Sequence, residues 1–402
     1  MASSTPHPPE YLTDSDWSKR HHAISLRKLM YLKTVPDKPD TFLSTSAAFP
    51  PTPAPRAYGG HVFAQSAWAA AHTVPFGLHV NSVTGYFLLI GNTHYAFEYR
   101  VRRVRDGGVY CLRQVEAFQN SKEGDFGKTP VFIAFVSFKR DERGKHRPGA
   151  RGQRKDFQHQ ELLPDYLMEE YSRVLGRKGR FEEWPLCQGM DGIFPAGAMS
   201  LEKWKQRGNA YPGLEMRKVD MTGYNVKAVA GAIDDNGEAA RKWRLLILYR
   251  IVLDEEEEMQ HVKELAAEGK RKKTGADDVL NLHAIGHLYA SDRNSLFLAQ
   301  RALGFEKQLG QVGSLSHTVN FHTHASALSM VDTKVGRRKE YAQEAWCSNS
   351  GADRVCHNSR LWDVETGQIL ASTVQDGMMR MPVDWNGEII DGDAILRKDA
   401  KL

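Results

Sequence analysis

Hydrophobic and polar residues alternate along four segments of the N-terminal half, which is the pattern of β-strands with one buried face. These predicted strands are Asn81–Leu89, His94–Val104, Val109–Gln119 and Val131–Lys139. An alanine-rich run precedes them and predicts a closely packed helix that starts near Gly60 and ends before Pro75. One buried helix followed by long antiparallel strands predicts a sheet that wraps around the helix.

The same order of elements returns in the C-terminal half. Tyr289–Leu303 predicts a helix with Ser291 or Asp292 as its N-cap. The strands predicted around it are Lys242–Ile251, Ser314–His322, Glu340–Cys347, Arg354–Trp362 and Ile369–Arg380. From Gly59 to Phe87 is 28 positions and from Asp292 to Phe321 is 29, so the spacing indicates two copies of one α+β unit.

These patterns divide the chain into five parts. Residues 1–55 end in the proline-rich FPPTPAPR and predict an extended lead-in with little packing of its own. The N-terminal repeat follows at 56–140, a basic linker with a helical insertion (Leu162–Val174) at 141–205, and the C-terminal repeat at 206–385. A charged insertion interrupts the second repeat at 254–278, and a tail occupies 386–402.

Charge and cysteine content exclude several classes of function. The net charge of +5 arises from 54 basic and 49 acidic residues, so the sequence does not indicate nucleic-acid binding. The basic run Lys139–Lys155 fits either solvated loops or a site for an anionic ligand. Four scattered cysteines without a CxxC pair indicate a reducing compartment and neither a disulfide framework nor a metal site. No apolar stretch is long enough to span a membrane.

The last three residues, Ala400-Lys401-Leu402, form a small-basic-leucine ending. An ending of this type is a peroxisomal address that an import receptor reads, although a tripeptide also fits an ordinary frayed terminus. The prediction is a peroxisomal location.

Several motifs in the correct order resemble the acyl-CoA thioesterase II family, which comprises double-hotdog enzymes of bacteria and peroxisomes. The segments that carry the resemblance are Tyr58-Gly59-Gly60-His61 with Gln65, Ser82–Leu88, Val101–Gly107, Tyr289–Asn294 and Ala371–Gly377. The resemblance covers about residues 56–381 and implies an α+β double hotdog, with an antiparallel sheet around a central helix in each repeat. The sequence departs from the family at His61 and in the longer segment after Phe321.

The resemblance implies hydrolysis of fatty-acyl-CoA by a water that Asp292, Ser314 and Gln375 hold. A carboxylate can accept the proton of the water while a hydroxyl and an amide orient it. Without the resemblance, Asp292 is an ordinary helix cap and the other two are ordinary strand residues. The sequence has no Gly-x-Ser-x-Gly elbow or Cys-His pairing for a covalent nucleophile, and the family implies no cofactor.

Weaker expectations concern substrate binding and assembly. Backbone N–H groups after Gly59-Gly60 are candidate oxyanion donors at a helix start, and Arg105 and Arg113 are candidate ligands of the coenzyme A phosphates. The family implies a homodimer or a higher homo-oligomer.

Two other functions remain open at this point. Hotdog enoyl-CoA hydratases use Asp-x-Asn-x-x-His at a helix start, and here Asp292 and Asn294 are present but Phe297 replaces the histidine. A non-catalytic acyl-CoA-binding protein with the same fold is the second alternative. Release of free thiol, loss of enoyl absorbance, or neither would distinguish the three.

Overall fold

A computed structural model describes residues 24–51, 56–119, 129–142, 159–164, 181–184, 186–187, 211–229, 238–253, 274–293, 296–302, 311–332 and 336–380. Several predicted features lie outside these residues: the ending Ala400-Lys401-Leu402, nearly all of the insertion 254–278, and most of the basic run and of Leu162–Val174.

The first repeat is a helix and its strands, as the alternation predicts. Its elements are α1 (Leu26–Met30), β1 (Leu32–Thr34), β2 (Thr41–Ser44), α2 (Gly59–Ala71), β3 (Leu78–Phe87), β4 (Phe97–Asp106), β5 (Tyr110–Gln119) and β6 (Phe132–Arg140). Every residue of α2 from Gly60 to Ala71 is buried. Small alanine side chains allow this helix to be enclosed on all sides by the sheet and by the second repeat.

The second repeat follows the same plan. Its elements are β7 (Leu214–Lys218), α3 (Thr222–Val229), α4 (Glu238–Lys242), β8 (Leu245–Ile251), α5 (Val279–Ser291), α6 (Phe297–Ala302), β9 (Gln311–Phe321), β10 (Tyr341–Gly351), β11 (Arg354–Asp363) and β12 (Gln368–Arg380). The predicted strands of both repeats are confirmed to within a few residues at each end.

The described strands form one antiparallel sheet in the order β1-β2-β4-β5-β6-β3-β9-β12-β11-β10-β8-β7. The order reads the same from both edges when each strand is replaced by its counterpart in the other repeat. The centre is the β3–β9 pair, in which Thr84 is opposite Thr318. This pseudo-twofold arrangement confirms the α+β double hotdog.

The two buried helices, α2 and α5, pack against each other at the centre. Tyr58 donates a hydrogen bond from its hydroxyl to the carbonyl oxygen of Tyr289 at 2.7 Å. A Cβ atom on Gly60 would lie 2.7 Å from that same oxygen, so the close approach requires glycine. The contact brings the N-terminal end of α2 beside the C-terminal end of α5.

The prediction of a helix over Tyr289–Leu303 is wrong. The buried helix is α5, which Asp278 caps at its N-terminus by accepting a hydrogen bond from the N–H of Leu280. Asp292 is the C-cap of α5, and among the residues described up to 302 the short α6 follows it. The similar spacings measured from Gly59 and from Asp292 therefore compared the start of one helix with the end of the other.

The prediction of an unpacked lead-in is also wrong for the part that the structure describes. Leu26, Leu29 and Met30 are fully buried, and β2 pairs with β4 with Phe42 opposite Tyr99. The proline-rich composition is confined to about residues 50–55. The prediction extended it to the whole lead-in and overlooked the largely apolar segment ISLRKLMYL before it.

Candidate active site

Asp292 joins the two repeats. Its backbone caps the C-terminal end of α5, and its carboxylate accepts a hydrogen bond from the N–H of Gly60 at the start of α2. Only 8% of the residue is exposed. The predicted N-cap role is therefore wrong for its own helix, yet the carboxylate lies at the N-terminus of the helix of the other repeat, where negative charge is favoured.

Gln375 connects the three predicted catalytic side chains. Its Nε2 donates one hydrogen bond to Oδ1 of Asp292 at 2.6 Å and a second to Oγ of Ser314 at 2.7 Å. Because both hydrogens of the amide are used, the amide can adopt only one orientation while these bonds are kept. Its Oε1 is buried and has no hydrogen-bond partner among the described residues.

A β-bulge turns Ser314 toward this site. Strand β9 buries alternate residues, Phe321, Val319 and His317, so regular alternation would bring Leu315 inward next. The pairing with β12 shifts register at Leu315, which is 36% exposed. The extra residue reverses the alternation and gives Ser314 its position beside Gln375.

Gly59 makes room for the carboxylate at the helix start. A Cβ atom on Gly59 would lie 2.7 Å from Oδ2 of Asp292, too close for a carbon–oxygen contact. The Gly60 N–H, a predicted oxyanion donor, instead holds Asp292. The role of Gly59 in binding an oxyanion stays a prediction.

Burial raises the pKa of the Asp292 carboxyl from 3.8 to about 7. Hydrogen bonds from Gln375 and from the Gly60 N–H stabilise the ionised form and offset part of this increase. A carboxyl with a pKa near neutrality can gain and lose a proton under physiological conditions, which a general base requires.

Two neutral histidines, His317 and His61, are buried beside residues of the site. The hydroxyl of Ser291 donates to the carbonyl of Leu288 at 2.7 Å, so it accepts from Nε2 of His317 at 2.8 Å. Burial lowers the pKa of His317 to about 3 and that of His61 to about 4. Neither imidazole is charged at neutral pH, so the acid–base chemistry falls to Asp292.

Two apolar side chains that the sequence analysis missed lie close to glycines beside the trio. The ring of Phe87 lies 3.1 Å from the position that a Cβ on Gly59 would occupy, and Leu296 lies 2.4 Å from the corresponding point on Gly377. The available signal was Gly377 itself, since an isolated glycine in a strand indicates a close approach. Phe297, which replaces the hydratase histidine, begins α6.

The two predicted phosphate ligands lie far from Asp292. Arg113 is fully buried, and its guanidinium donates to Oγ1 of Thr73 at 2.8 Å and to Oδ1 of Asp106 at 2.5 Å. Thr73 follows the C-terminal end of α2, whereas Gly59 starts the helix about 20 Å away. The prediction is wrong for Arg113, whose donors bind protein. For Arg105, which is exposed at the same end, it stays a prediction.

The pseudo-twofold axis gives the site a counterpart that lacks the trio. When the bulges of β3 and β9 are aligned, Val80 occupies the position of Ser314, because β3 shifts register at the next residue. By the same registers Val136 replaces Gln375, and the C-cap residue His72 replaces Asp292. The trio of Asp292, Ser314 and Gln375 is therefore present at one of the two equivalent positions.

Known proteins are similar to parts of this chain in sequence and to the structure in fold. Residues 49–139 match the model of the acyl-CoA thioesterase N-terminal domain. The chain is 36% identical over 86 residues to acyl-coenzyme A thioesterase 8 from Homo sapiens, a segment that covers 21% of this chain and 25% of that protein. Over these residues the chain is similar to acyl-CoA thioesterases.

The chain is similar at lower identity to other proteins. It is 26% identical over 189 residues to the peroxisomal acyl-coenzyme A thioester hydrolase 1 of Saccharomyces cerevisiae, which covers 42% of this chain and 51% of that protein. The matches thus span a quarter to a half of these curated relatives. Acyl-CoA thioesterase II TesB2 from Mycobacterium marinum shares the fold, with a TM-score of 0.51 and 17% identity over 90% of this chain and 98% of that one.

Within the described ranges, no helix is long and apolar enough to cross a membrane. The same residues contain no cluster of histidine, cysteine and acidic side chains that could hold a metal ion.

Proposed function

We propose that this protein hydrolyses fatty-acyl-CoA to free fatty acid and coenzyme A, with Asp292 as the general base. The observation that carries the proposal is the amide of Gln375, which joins a buried carboxylate of raised pKa to a hydroxyl across two strands. The family supplies the substrate class, and the geometry supplies a set of groups suited to holding one water.

The chemistry needs only these groups and water. The water oxygen forms a bond to the thioester carbonyl carbon as Asp292 takes one of its protons. When the tetrahedral intermediate collapses, the carbon–sulfur bond breaks and the proton passes to the departing thiolate of coenzyme A. Gln375 and Ser314 contribute by fixing the water and the carboxylate in one arrangement.

The site favours hydrolysis over the two alternatives. Hydration of an enoyl-CoA uses a second acid–base group, and Phe297 cannot serve as one. A non-catalytic binding protein would gain nothing from a buried carboxylate whose ionisation is unfavourable, because burying a charge without a function costs stability.

Thiol release from a panel of acyl-CoA substrates, from short to long chains, tests the proposal. We expect hydrolysis by the natural protein and a decrease in kcat of about 100-fold or more in Asp292→Asn, which keeps the size of the side chain. Loss of enoyl absorbance would indicate a hydratase. A folded Asp292→Asn protein with near-normal hydrolysis would contradict the mechanism.

We also propose import into peroxisomes through Ala400-Lys401-Leu402, which the peroxisomal yeast relative supports. The test compares the location of an N-terminally tagged chain with that of the same chain lacking these three residues. A peroxisomal location that persists without them would exclude this ending as the address. Homo-oligomer formation stays a prediction.

A further inference from the structure

A cleft of about 480 Å³ lies at the opposite end of the sheet from the catalytic trio. It opens where β3 and β12 begin and where β6 and β9 end. Ser314 lies near the start of β9 and Phe321, which lines the cleft, ends it about 23 Å away at the usual rise per residue of a strand. The volume lies in the range of small-molecule sites.

The cleft is the pseudo-twofold counterpart of the surface around the trio. The N–H of His322 bonds to the carbonyl of Leu370, and the N–H of Leu88 bonds in the same way to that of Val131. His322 therefore occupies in the cleft the position that Leu88 occupies near Asp292. The same registers relate Lys139 and Arg140 to Met378 and Met379, and Thr323 and His324 to Leu89 and Ile90.

The two counterparts differ in chemistry. Around the trio the surface is apolar, with Leu88, Leu89 and Ile90 exposed by 46%, 54% and 68%. The cleft instead is lined by Lys139, Arg140 and four imidazoles, those of His79, His159, His322 and His324. On this side His72, Val80 and Val136 replace the trio. The lysine, arginine and histidine lining of the cleft is therefore not needed for the proposed hydrolysis.

Neighbouring groups orient the polar side chains of the cleft, and burial lowers the pKa of His322, so its imidazole acts as a neutral hydrogen-bonding group. Arg140 donates from Nε to the carbonyl oxygen of Gly108 at 3.0 Å and from Nη1 to that of Phe76 at 3.4 Å, and its Nη2 is the part of the guanidinium that these two bonds do not use. His322 hydrogen-bonds to Oγ of Ser372 at 2.8 Å. Two carboxylates lie close by: Asp278 pairs with His79 at 2.9 Å, and Asp141 lies 3.5 Å from His324.

We propose that this cleft binds a phosphate-bearing anion at Lys139, Arg140 and His322, as a site separate from the hydrolytic one. The lining includes the guanidinium of Arg140, the imidazole of His322 and the ammonium of Lys139, whose Nζ lies 5.8 Å from the centroid of the Tyr110 ring. Together these groups supply several N–H donors for the oxygens of a phosphate or pyrophosphate. Lys139 and Arg140 are also the first two residues of the basic run Lys139–Lys155. Free phosphates and the nucleotide end of coenzyme A share this chemistry.

Calorimetric titration of the full chain with pyrophosphate, adenosine 3′,5′-bisphosphate and coenzyme A tests the site without any turnover. The double variant Lys139→Met/His322→Leu gives the cleft the residues of its counterpart. We expect it to bind pyrophosphate at least about 10-fold more weakly, and the binding of the natural protein to weaken with added salt. Lys33→Met, an exposed residue on the edge strand β1, is the matched control and should bind normally.

The probes distinguish the source of the phosphate. Tighter binding of the bisphosphate than of pyrophosphate, lost in the double variant, would identify a nucleotide site; equal binding of both would identify a simple phosphate site. The absence of saturable binding by either probe, or unchanged binding in a double variant with a normal melting transition, would overturn the proposal. If the double variant fails to melt cooperatively, Lys139→Met alone decides by the same criterion. Asp292→Asn should bind both probes normally, so failure of the proposed hydrolysis would leave this result intact.

Discussion

Oδ1 of Asp292 and Nε2 of Gln375 lie 2.6 Å apart, although 83 positions separate the two residues in the chain. This bond and the one from the Gly60 N–H stabilise the ionised carboxylate of Asp292, the form that a general base requires. Burial opposes that form. This balance gives the residue its pKa near neutrality.

Hydrolysis should depend on pH through Asp292. Because burial raises the pKa of this carboxyl to about 7, the base form is depleted below that pH and dominates above it. We expect kcat/KM to rise tenfold per pH unit below about pH 6 and to level off above about pH 8. Initial rates between pH 5 and 9 measure this profile, and a flat profile would exclude a titrating base.

Asp292→Asn should be more stable than the natural protein at neutral and alkaline pH. The folded pKa exceeds the ordinary value of 3.8, so ionisation destabilises the folded state increasingly as pH rises from about 4 through 7, and constantly above. The shift corresponds to about 4 kcal/mol as an upper bound. We expect the Tm of the variant to exceed that of the natural protein by a few degrees at pH 8, with a smaller difference at pH 5. Equal Tm differences at both values would contradict a raised pKa.

The two glycines at the start of α2 should respond differently to alanine. A Cβ on Gly59 meets the carboxylate of Asp292, so Gly59→Ala should lower kcat by about 10-fold or more while the fold persists. A Cβ on Gly60 meets the Tyr58 ring and the Tyr289 carbonyl, so Gly60→Ala should destabilise the fold by about 1–3 kcal/mol. Rates and melting curves of both separate the effects. Gly313→Ala is the control on the neighbouring strand, because nothing lies within 4 Å of its Cβ position.

Ser314 and Gln375 should act as one unit. Removing either side chain breaks the arrangement that the Gln375 amide maintains, so the double variant Ser314→Ala/Gln375→Ala should lose little more kcat than Gln375→Ala alone. Ser314→Thr keeps the hydroxyl and should retain activity. A double-mutant cycle of kcat measures the coupling, and simple multiplication of the two single losses would indicate independent roles.

Arg113 should affect stability and not substrate binding. Arg113→Lys retains the charge but cannot reproduce the hydrogen bonds to Thr73, Asp106 and the carbonyl of Arg105. We expect a loss of about 2–4 kcal/mol in the free energy of unfolding, with an unchanged KM for acyl-CoA. An increased KM in a fully folded variant would restore Arg113 as a ligand of coenzyme A.

The sequence by itself determined the repeat, the long strands and the helix α2, because periodic alternation and alanine content report directly on burial. The resemblance to a known family also singled out Asp292, Ser314 and Gln375, and the structure brings these three side chains together. The sequence contains two residues that could cap the N-terminus of the buried helix of the second repeat, Asp278 and Asp292. The motif around Asp292 favoured the wrong one.

Only the tertiary structure decided how the site is assembled. The bulge at Leu315 that turns Ser314 inward depends on pairing with β12, and no local pattern encodes which side of a bulge a residue faces. The raised pKa of Asp292 and the commitment of Arg113 to Thr73 arise from burial and from partners distant in the chain. Hydrophobic periodicity is a local property of the chain and can be read from it, whereas desolvation and hydrogen bonding between repeats exist only after the two helices have packed.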